Sequence, residues 1–378
     1  MYDSRMKAQQ LQKNVAQILA PAGIQVDGSQ PWDLQIHNDR FYQRVLSQGT
    51  LGLGESYMDG WWDCEQIDEF IFRALRADLY KTARLGWRSV LEVLLTKIFN
   101  RQAKGKAAQN AQRHYDIGNN LYELMLDKRM TYSCGYWKNA DNLDQAQENK
   151  LDLICRKLYL QPGQRVLDIG CGWGSFAKFA AKRYGVEVVG VTVAREQVKL
   201  AQELCKGLPI EIRLQDYRDV REKFDHVVSI GMAEHVGHRN YRTYMQTAAR
   251  CLKDDGLFLL HTIGMAYSRT SADPFTNKYI FPNCLLPSIK QLGGAMEHLF
   301  VLEDCHNFSV HYDYTLMAWF KNFDQSWEQL QPTYGDRFYR MWKYYLLSSA
   351  ASFRARHNQL WQMVLSKRGL LGGYESVR

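Results

Sequence analysis

The stretch Val166-Leu-Asp-Ile-Gly-Cys-Gly-Trp-Gly-Ser175 most constrains what this chain can fold into. Val166, Leu167 and Ile169 make a short apolar run suited to a buried parallel strand, and Gly170, Gly172 and Gly174 follow at once, where the backbone can turn sharply and a ligand can approach closely. Phe176-Ala-Lys-Phe-Ala-Ala-Lys-Arg183 then sets apolar residues at helical spacing. Free amides at the start of that helix point at whatever fills the turn. Many α/β loops use glycine only to turn, so the rest of the chain has to say whether this one holds a ligand.

The rest of the chain alternates. Strands are expected at 187–192, 210–214, 224–230 and 256–261, and helices over roughly 195–206 and 241–253, with a further helix at 143–158 leading into the first strand. That order describes an α/β, doubly wound, Rossmann-like domain. Before it lies a smaller, mainly helical region: a helix over 1–20 broken at Pro21-Ala-Gly23, a strand-like 33–37, a loop of glycines and aromatics at 51–63, and a helix from about Ile67. The 101–113 stretch has almost no large apolar residue and reads as a linker. The boundaries are therefore 1–100, 101–113 and 114–378.

Charge sharpens that division. The formal net charge is +8, and between Phe72 and Arg113 ten Lys and Arg face only Asp78 and Glu92, so one segment carries the whole excess. Within it Trp87, Leu91, Leu94, Leu95, Ile98 and Phe99 share an apolar helical face flanked by Arg84, Arg88 and Lys97. Two readings stay open: the face packs on the N-terminal core, or it meets an anionic lipid surface. Clustered charge also suggests nucleic acid, but no RNA-binding module accompanies it. The N-terminus shows no signal peptide, and 90–99 is too short and too charged to span a bilayer, so a soluble, intracellular protein is expected. Eight cysteines occur singly without a Cys-x-x-Cys pair, which argues against a metal cluster or disulfide framework and for buried apolar roles.

In sheets of this kind ligands bind outside the carboxyl ends of the strands, and those ends are polar here. They carry the glycine turn, then Thr192 with Gln197, then Asp216-Tyr217, then Gly231-Met-Ala-Glu-His-Val236, then His261-Thr-Ile263. Singly each is a cap or turn residue; together they outline a crevice. A nicotinamide dinucleotide would want an acid roughly 20 residues past the glycines, whereas the second strand ends in Thr192.

Asp168-Ile-Gly-Cys-Gly-Trp-Gly174, with Asp216 after the third strand, resembles the nucleotide loop of class I S-adenosylmethionine-dependent methyltransferases. Further runs resemble bacterial cyclopropane-fatty-acyl-phospholipid synthases over nearly the whole chain: Leu51-Gly-Leu-Gly-Glu-Ser-Tyr-Met-Asp-Gly-Trp-Trp62, His114-Tyr-Asp-Ile-Gly-Asn119, Tyr132-Ser-Cys-Gly-Tyr-Trp137, Gly190-Val-Thr-Val-Ala-Arg-Glu-Gln197, Met232-Ala-Glu-His-Val-Gly237, Lys278-Tyr-Ile-Phe-Pro282 and Phe353-Arg-Ala-Arg356. The resemblance implies transfer of a methylene unit from S-adenosylmethionine to the cis double bond of an unsaturated phospholipid acyl chain, through a carbocation. An alkene is a feeble nucleophile and the cation would be captured by water, so orientation, dryness, aromatic faces and one base are required. A methyltransferase on lipid without ring closure is the alternative, and a nucleic-acid methyltransferase or an S-adenosylmethionine sensor stand further off.

The family resemblance also implies roles. A bound bicarbonate as base would be held by Cys134, Glu234, His261 and Tyr312 with the backbone at Ile263. Gly170, Gly172 and Gly174, with Asp168 and Cys171 in the same loop, would take the methionine end of the cofactor, Thr192 and Gln197 the ribose, and Asp216 and Tyr217 the adenine, with Tyr132 and Ser133 closing over it. Tyr136, Trp137, Tyr279, Phe281, Phe308 and Trp319 are candidates for an acyl channel or cation cage. Ser349 stands where some members carry a cysteine. The same likeness implies a homodimer at the inner face of the cytoplasmic membrane, with the basic N-terminal region as its lipid-docking part.

Overall fold

The computed structural model describes residues 2–82 and 118–378. The amphipathic stretch 85–99, the linker and the start of the 114–126 approach lie outside those residues.

In the N-terminal region a helix spans Tyr2–Leu19, burying Val15 and Leu19. It ends at a short 3-10 turn with Gly23 left-handed at φ 65°. Strands β1 (Gln35–Ile36) and β2 (Trp62–Asp63) pair antiparallel. The expected 51–63 loop is instead mostly a helix, Thr50–Met58, preceded by another over Arg40–Gln48. Tertiary contact overrides the low helix propensity of Gly52 and Gly54 here: a Cβ at Gly54 would run into the ring of Phe275, so the glycine permits close packing. The helix Ile67–Arg76 follows.

The main sheet has seven strands in the order β5-β4-β3-β6-β7-β9-β8. They are β3 (Arg165–Ile169), β4 (Glu187–Thr192), β5 (Ile210–Leu214), β6 (His226–Ile230), β7 (Leu257–Met265), β8 (Val301–Asn307) and β9 (Asn358–Ser366). Strands β3 to β7 run parallel, while β9 lies antiparallel between β7 and β8. The order turns back at β3 and β6, and a doubly wound sheet binds ligands at that switch point. The β7 strand runs past the expected end at 261, so His261, Thr262 and Ile263 lie within it.

Helices Ser175–Tyr184, Arg195–Leu204 and Tyr241–Cys251 fall where helical spacing put them. After β8 come the helices Val310–Gln325 and Trp327–Arg354, the second broken at Gly335, whose φ of 72° is not helical. The N-terminal helices share one apolar core with this pair and with Leu121, Tyr122 and Met125. Seven of the eight cysteines are buried, with Cys305 exposed, and all eight are free. Among the described residues no helix is long and apolar enough to cross a membrane.

Candidate active site

The glycine turn is built as its composition requires. Gly170, Gly172 and Gly174 all have positive φ, at 84°, 55° and 81°. The Gly170 and Cys171 amides are used on the carbonyl of Val191, at 2.9 and 3.2 Å, which ties the turn to β4. At Gly172 a Cβ would meet nothing within 4 Å, so the space above it is open. Beneath the turn, Asp168 is buried and its Oδ2 has no hydrogen-bond partner. Burial pushes its carboxyl up to about 7, opposed by the charge of Lys150. An unspent acceptor under open glycine backbone fits a ligand that brings a cationic group, and S-adenosylmethionine brings an ammonium and a sulfonium.

At the neighbouring strand ends the expected residues are present but partly engaged with one another. Thr192 Oγ1 donates to Gln197 Oε1 at 3.0 Å and accepts from the Ala194 amide. Asp216 forms a two-point pair with Arg218, at 2.8 and 2.6 Å, and caps the short turn Tyr217–Asp219, where Tyr217 is buried. That pairing with Arg218 was not foreseen, and any contact of Asp216 with an adenosine would be shared with the guanidinium.

The approach loop lies against the turn and is laced down from below. Thr131 Oγ1 meets Ser175 Oγ at 2.7 Å. Gln147 Nε2 donates to the carbonyls of Thr131 and Ser133, at 3.3 and 2.7 Å, and Lys150 Nζ donates to Ser133 Oγ at 2.9 Å. Both side chains come from the helix Leu143–Lys157 and both are fully buried. Cys134 is buried too; Thr315 Oγ1 lies 4.0 Å from its Sγ, and burial pushes the thiol well up, so it is a neutral group and no nucleophile.

The polar cluster sits on β7 and the helical turn Ala233–Val236 after β6. Glu234 Oε1 accepts from the amide of Ile263 at 2.6 Å, while Oε2 is buried without a partner. Burial raises its carboxyl to about 7, so near neutrality much of it keeps a proton. His261, two residues before Ile263 and hence on the same face of the strand, is 1% exposed; burial and then the charges of Lys150 and Lys157 hold its pKa well below the ordinary value. Its Nδ1 lies 3.3 Å from Gln362 Nε2, and its Nε2 has no partner. Glu234 and the Ile263 backbone therefore touch directly, with His261 beside them. Tyr312 belongs to the helix Val310–Gln325, one turn from Thr315, the residue that lies against Cys134.

Aromatic rings close the space. Tyr132 packs tilted at 5.1 Å from Trp319, lies 6.3 Å from Phe281, and shares a hydroxyl contact of 3.0 Å with Tyr345. Tyr312 packs 4.5 Å from Phe353 and 6.0 Å from Trp319. Tyr345, Ser349 and Phe353 recur every four residues on one helix, so Ser349 is part of a wall between two aromatic rings. Tyr136 and Phe308 instead form a separate set with His306 and His311, reaching His261 only through Phe308 at 6.0 Å. Sequence reasoning passed over Lys150, Gln147, Gln362, Thr315 and Tyr345. A lysine directly before the mainly apolar run Leu151-Asp-Leu-Ile-Cys155 was the one available sign.

Residues 102–363 match the family model described as Mycolic acid cyclopropane synthetase. The chain is 51% identical over 362 residues to the cyclopropane-fatty-acyl-phospholipid synthase of Escherichia coli (strain K12), covering 96% of this chain and 94% of that one. A probable fatty acid methyltransferase of Pseudomonas putida is 37% identical, covering 69% of each chain. Among solved structures, a mycolic acid cyclopropane synthase, CmaA1, complexed with SAH and CTAB superposes with a TM-score of 0.65 at 32% identity, over 69% of this chain and 98% of that one.

Proposed function

The chain belongs to the mycolic acid cyclopropane synthetase family, and from that premise we propose that it is a cyclopropane-fatty-acyl-phospholipid synthase. It transfers a methylene unit from S-adenosylmethionine to the cis double bond of an unsaturated phospholipid acyl chain. The observation that carries this reading is the pair of buried atoms without a partner, Glu234 Oε2 on the turn after β6 and His261 Nε2 within β7, level with the last residue of β6.

S-adenosylmethionine supplies an electrophilic methyl on a sulfonium. Asp168 and the turn Gly170–Gly174 bind its methionine end, Thr192, Gln197, Asp216 and Tyr217 its nucleoside, and Tyr132 and Ser133 close the site. The rings of Tyr132, Phe281, Tyr312, Trp319, Tyr345 and Phe353 exclude water and present faces that favour the positive charge left on the acyl chain after methyl transfer. One methyl proton must then leave for the ring to close. Glu234, His261, Tyr312, Cys134 and the backbone at Ile263 would hold a bicarbonate to accept it. The donor set fits an anion: a carboxyl that keeps its proton near neutrality and a neutral imidazole with an N–H both donate. A free carboxylate there could instead trap the cation covalently.

The basic segment between residues 72 and 113 supports docking on an anionic membrane surface from the cytoplasmic side, as a homodimer with 1–100 as the lipid-docking part and 114–378 as the catalytic domain. Reversing Arg84, Arg88, Lys97, Lys104 and Lys106 together should abolish binding to anionic liposomes; retained binding would overturn the electrostatic part.

The deciding experiment incubates the enzyme with labelled S-adenosylmethionine and unsaturated phospholipid vesicles. Mass spectrometry should show the gain of one methylene with loss of the alkene, and a smaller yield in buffer freed of carbon dioxide. Glu234→Gln should lose about 10²-fold or more in turnover, in the range of acid–base assistance, while still binding S-adenosylhomocysteine. A branched product that retains its alkene would favour the fatty acid methyltransferase reading that the Pseudomonas putida relative brings. No gain at all with wild type would overturn both.

A further inference from the structure

A fully buried lysine is costly, and chains keep one only where its charge is used. Lys150 lies at 0% exposure in the helix Leu143–Lys157, in the middle of the site. Its ammonium makes one side-chain hydrogen bond, to Ser133 Oγ at 2.9 Å. The groups whose charges act on it are Asp127, Cys134 and Asp168, and it acts in turn on His261. Asp127 is already occupied with the amides of Thr131 and Arg129, at 2.8 and 3.1 Å. Asp168 keeps an oxygen with no partner. Lys150 is thus the group that touches the approach loop while standing as the nearby positive charge for the acid beneath the glycine turn. Gln147, one turn earlier on the same helix face, grips the backbone of the same loop segment.

We propose that Lys150 is a positioning residue for the methyl donor: through its bond to Ser133, its ammonium fixes the approach loop against the glycine turn that receives the cofactor. This rests on the reading of the turn as the S-adenosylmethionine site. Methionine would fill the same volume without the charge, so Lys150→Met leaves the packing of the helix in place. The approach loop then loses its anchor.

The test uses the full-length enzyme. Lys150→Met should raise KM for S-adenosylmethionine and weaken calorimetric binding of S-adenosylhomocysteine by about tenfold or more, as loss of a charge-assisted contact does. Its kcat at saturating donor and its KM for phospholipid vesicles should stay within about threefold, because no kcal-scale contact to the lipid is removed. A purely structural role would lower the melting temperature and spread the loss over all three constants. Ser133→Ala should reproduce part of the rise and add little in the Lys150→Met background, since the two act through one contact. Unchanged donor affinity in a folded Lys150→Met, or full additivity with Ser133→Ala, overturns the proposal. Should Lys150→Met fail to fold, Ser133→Ala decides alone: unchanged donor affinity there rejects it. Because the calorimetry needs no turnover, an enzyme inactive on phospholipid would count against the functional reading and leave the result on Lys150 legible.

Discussion

Gln362 decides which nitrogen of His261 carries the proton. Its amide nitrogen lies 3.3 Å from Nδ1, and an amide nitrogen only donates, so Nδ1 accepts and the imidazole proton sits on Nε2, the atom left open in the pocket. Gln362 is itself fully buried on β9, directly opposite His261 in register. Replacing it with leucine keeps the apolar packing and removes the donor. With Nδ1 unmet, the other tautomer is freed and Nε2 loses its hydrogen for part of the time. Gln362→Leu should therefore lower kcat by about tenfold, in line with 1–3 kcal/mol for an unsatisfied buried partner, and leave KM for S-adenosylmethionine unchanged. Nitrogen-15 spectra of labelled histidine read the tautomer directly, and a variant that still showed the proton on Nε2 would refute the assignment. Ser349 stands on the same helix face as Tyr345 and Phe353, as part of the aromatic wall.

At the scale of elements, the pairing of β7 with β9 fixes the depth of the site. Gly264, one residue beyond Ile263, faces β9, and a Cβ there would overlap the six-membered ring of Trp361. Trp361 is 2% exposed and cannot swing away without opening the core. Gly264→Ala should thus cost about 1–3 kcal/mol by overpacking and move the Ile263 amide off Glu234, seen as a lower melting temperature together with lost turnover. A variant as stable and active as wild type would show that β7 has slack. This pairing also marks how far the sequence could be read. Strands β3, β4, β6 and β7 were legible as mainly apolar runs and the edge strand β5 as an alternation of apolar and charged residues, and a parallel sheet sets all those ends on one side; the crevice with Asp168, Thr192, Glu234 and His261 followed. The antiparallel β8–β9 pair was not, because β9 is buried on both faces and shows no alternation, while β8 at the sheet edge is mostly exposed. Lys150, Gln147 and Gln362 were missed for a related reason: their partners lie 17, 14 and 101 residues away, and only tertiary register brings them together.

Across the whole molecule, the N-terminal helices are joined to the helices Pro274–Tyr279 and Trp327–Arg354 by ion pairs as well as by shared apolar core. Glu55, on the helix Thr50–Met58, accepts from Arg44 of its own region and from Lys278 and Tyr279 of the segment that leads to Phe281. Arg340 reaches the carbonyls of Tyr57 and Trp62 and the carboxylate of Asp63, and Arg354 bridges Asp68 to Asp313. Burial alone would raise the Glu55 carboxyl, but hydrogen bonds from Lys278, Arg44 and Tyr279 outweigh it and hold the group at about 2, against 4.5 when unpartnered. A depressed carboxyl contributes stability that is fully present above its unfolded value and lost as pH falls through the folded one, so this contribution fades between about pH 4.5 and 2. Lys278 is 54% exposed, and solvent screens its share. Glu55→Gln should then destabilise the protein by about 1–2 kcal/mol at neutral pH, as for hydrogen bonds to a charged group, and flatten the acid limb of its stability curve over that window. Since Tyr279 and Phe281 are among the rings expected to line the acyl space, loosening the Lys278–Tyr279 anchor should also raise KM for phospholipid more than KM for the methyl donor. Thermal melts from pH 7 down to 3, run beside those kinetics, check both parts. Parallel acid limbs in variant and wild type would mean that Glu55 does not hold the two regions together.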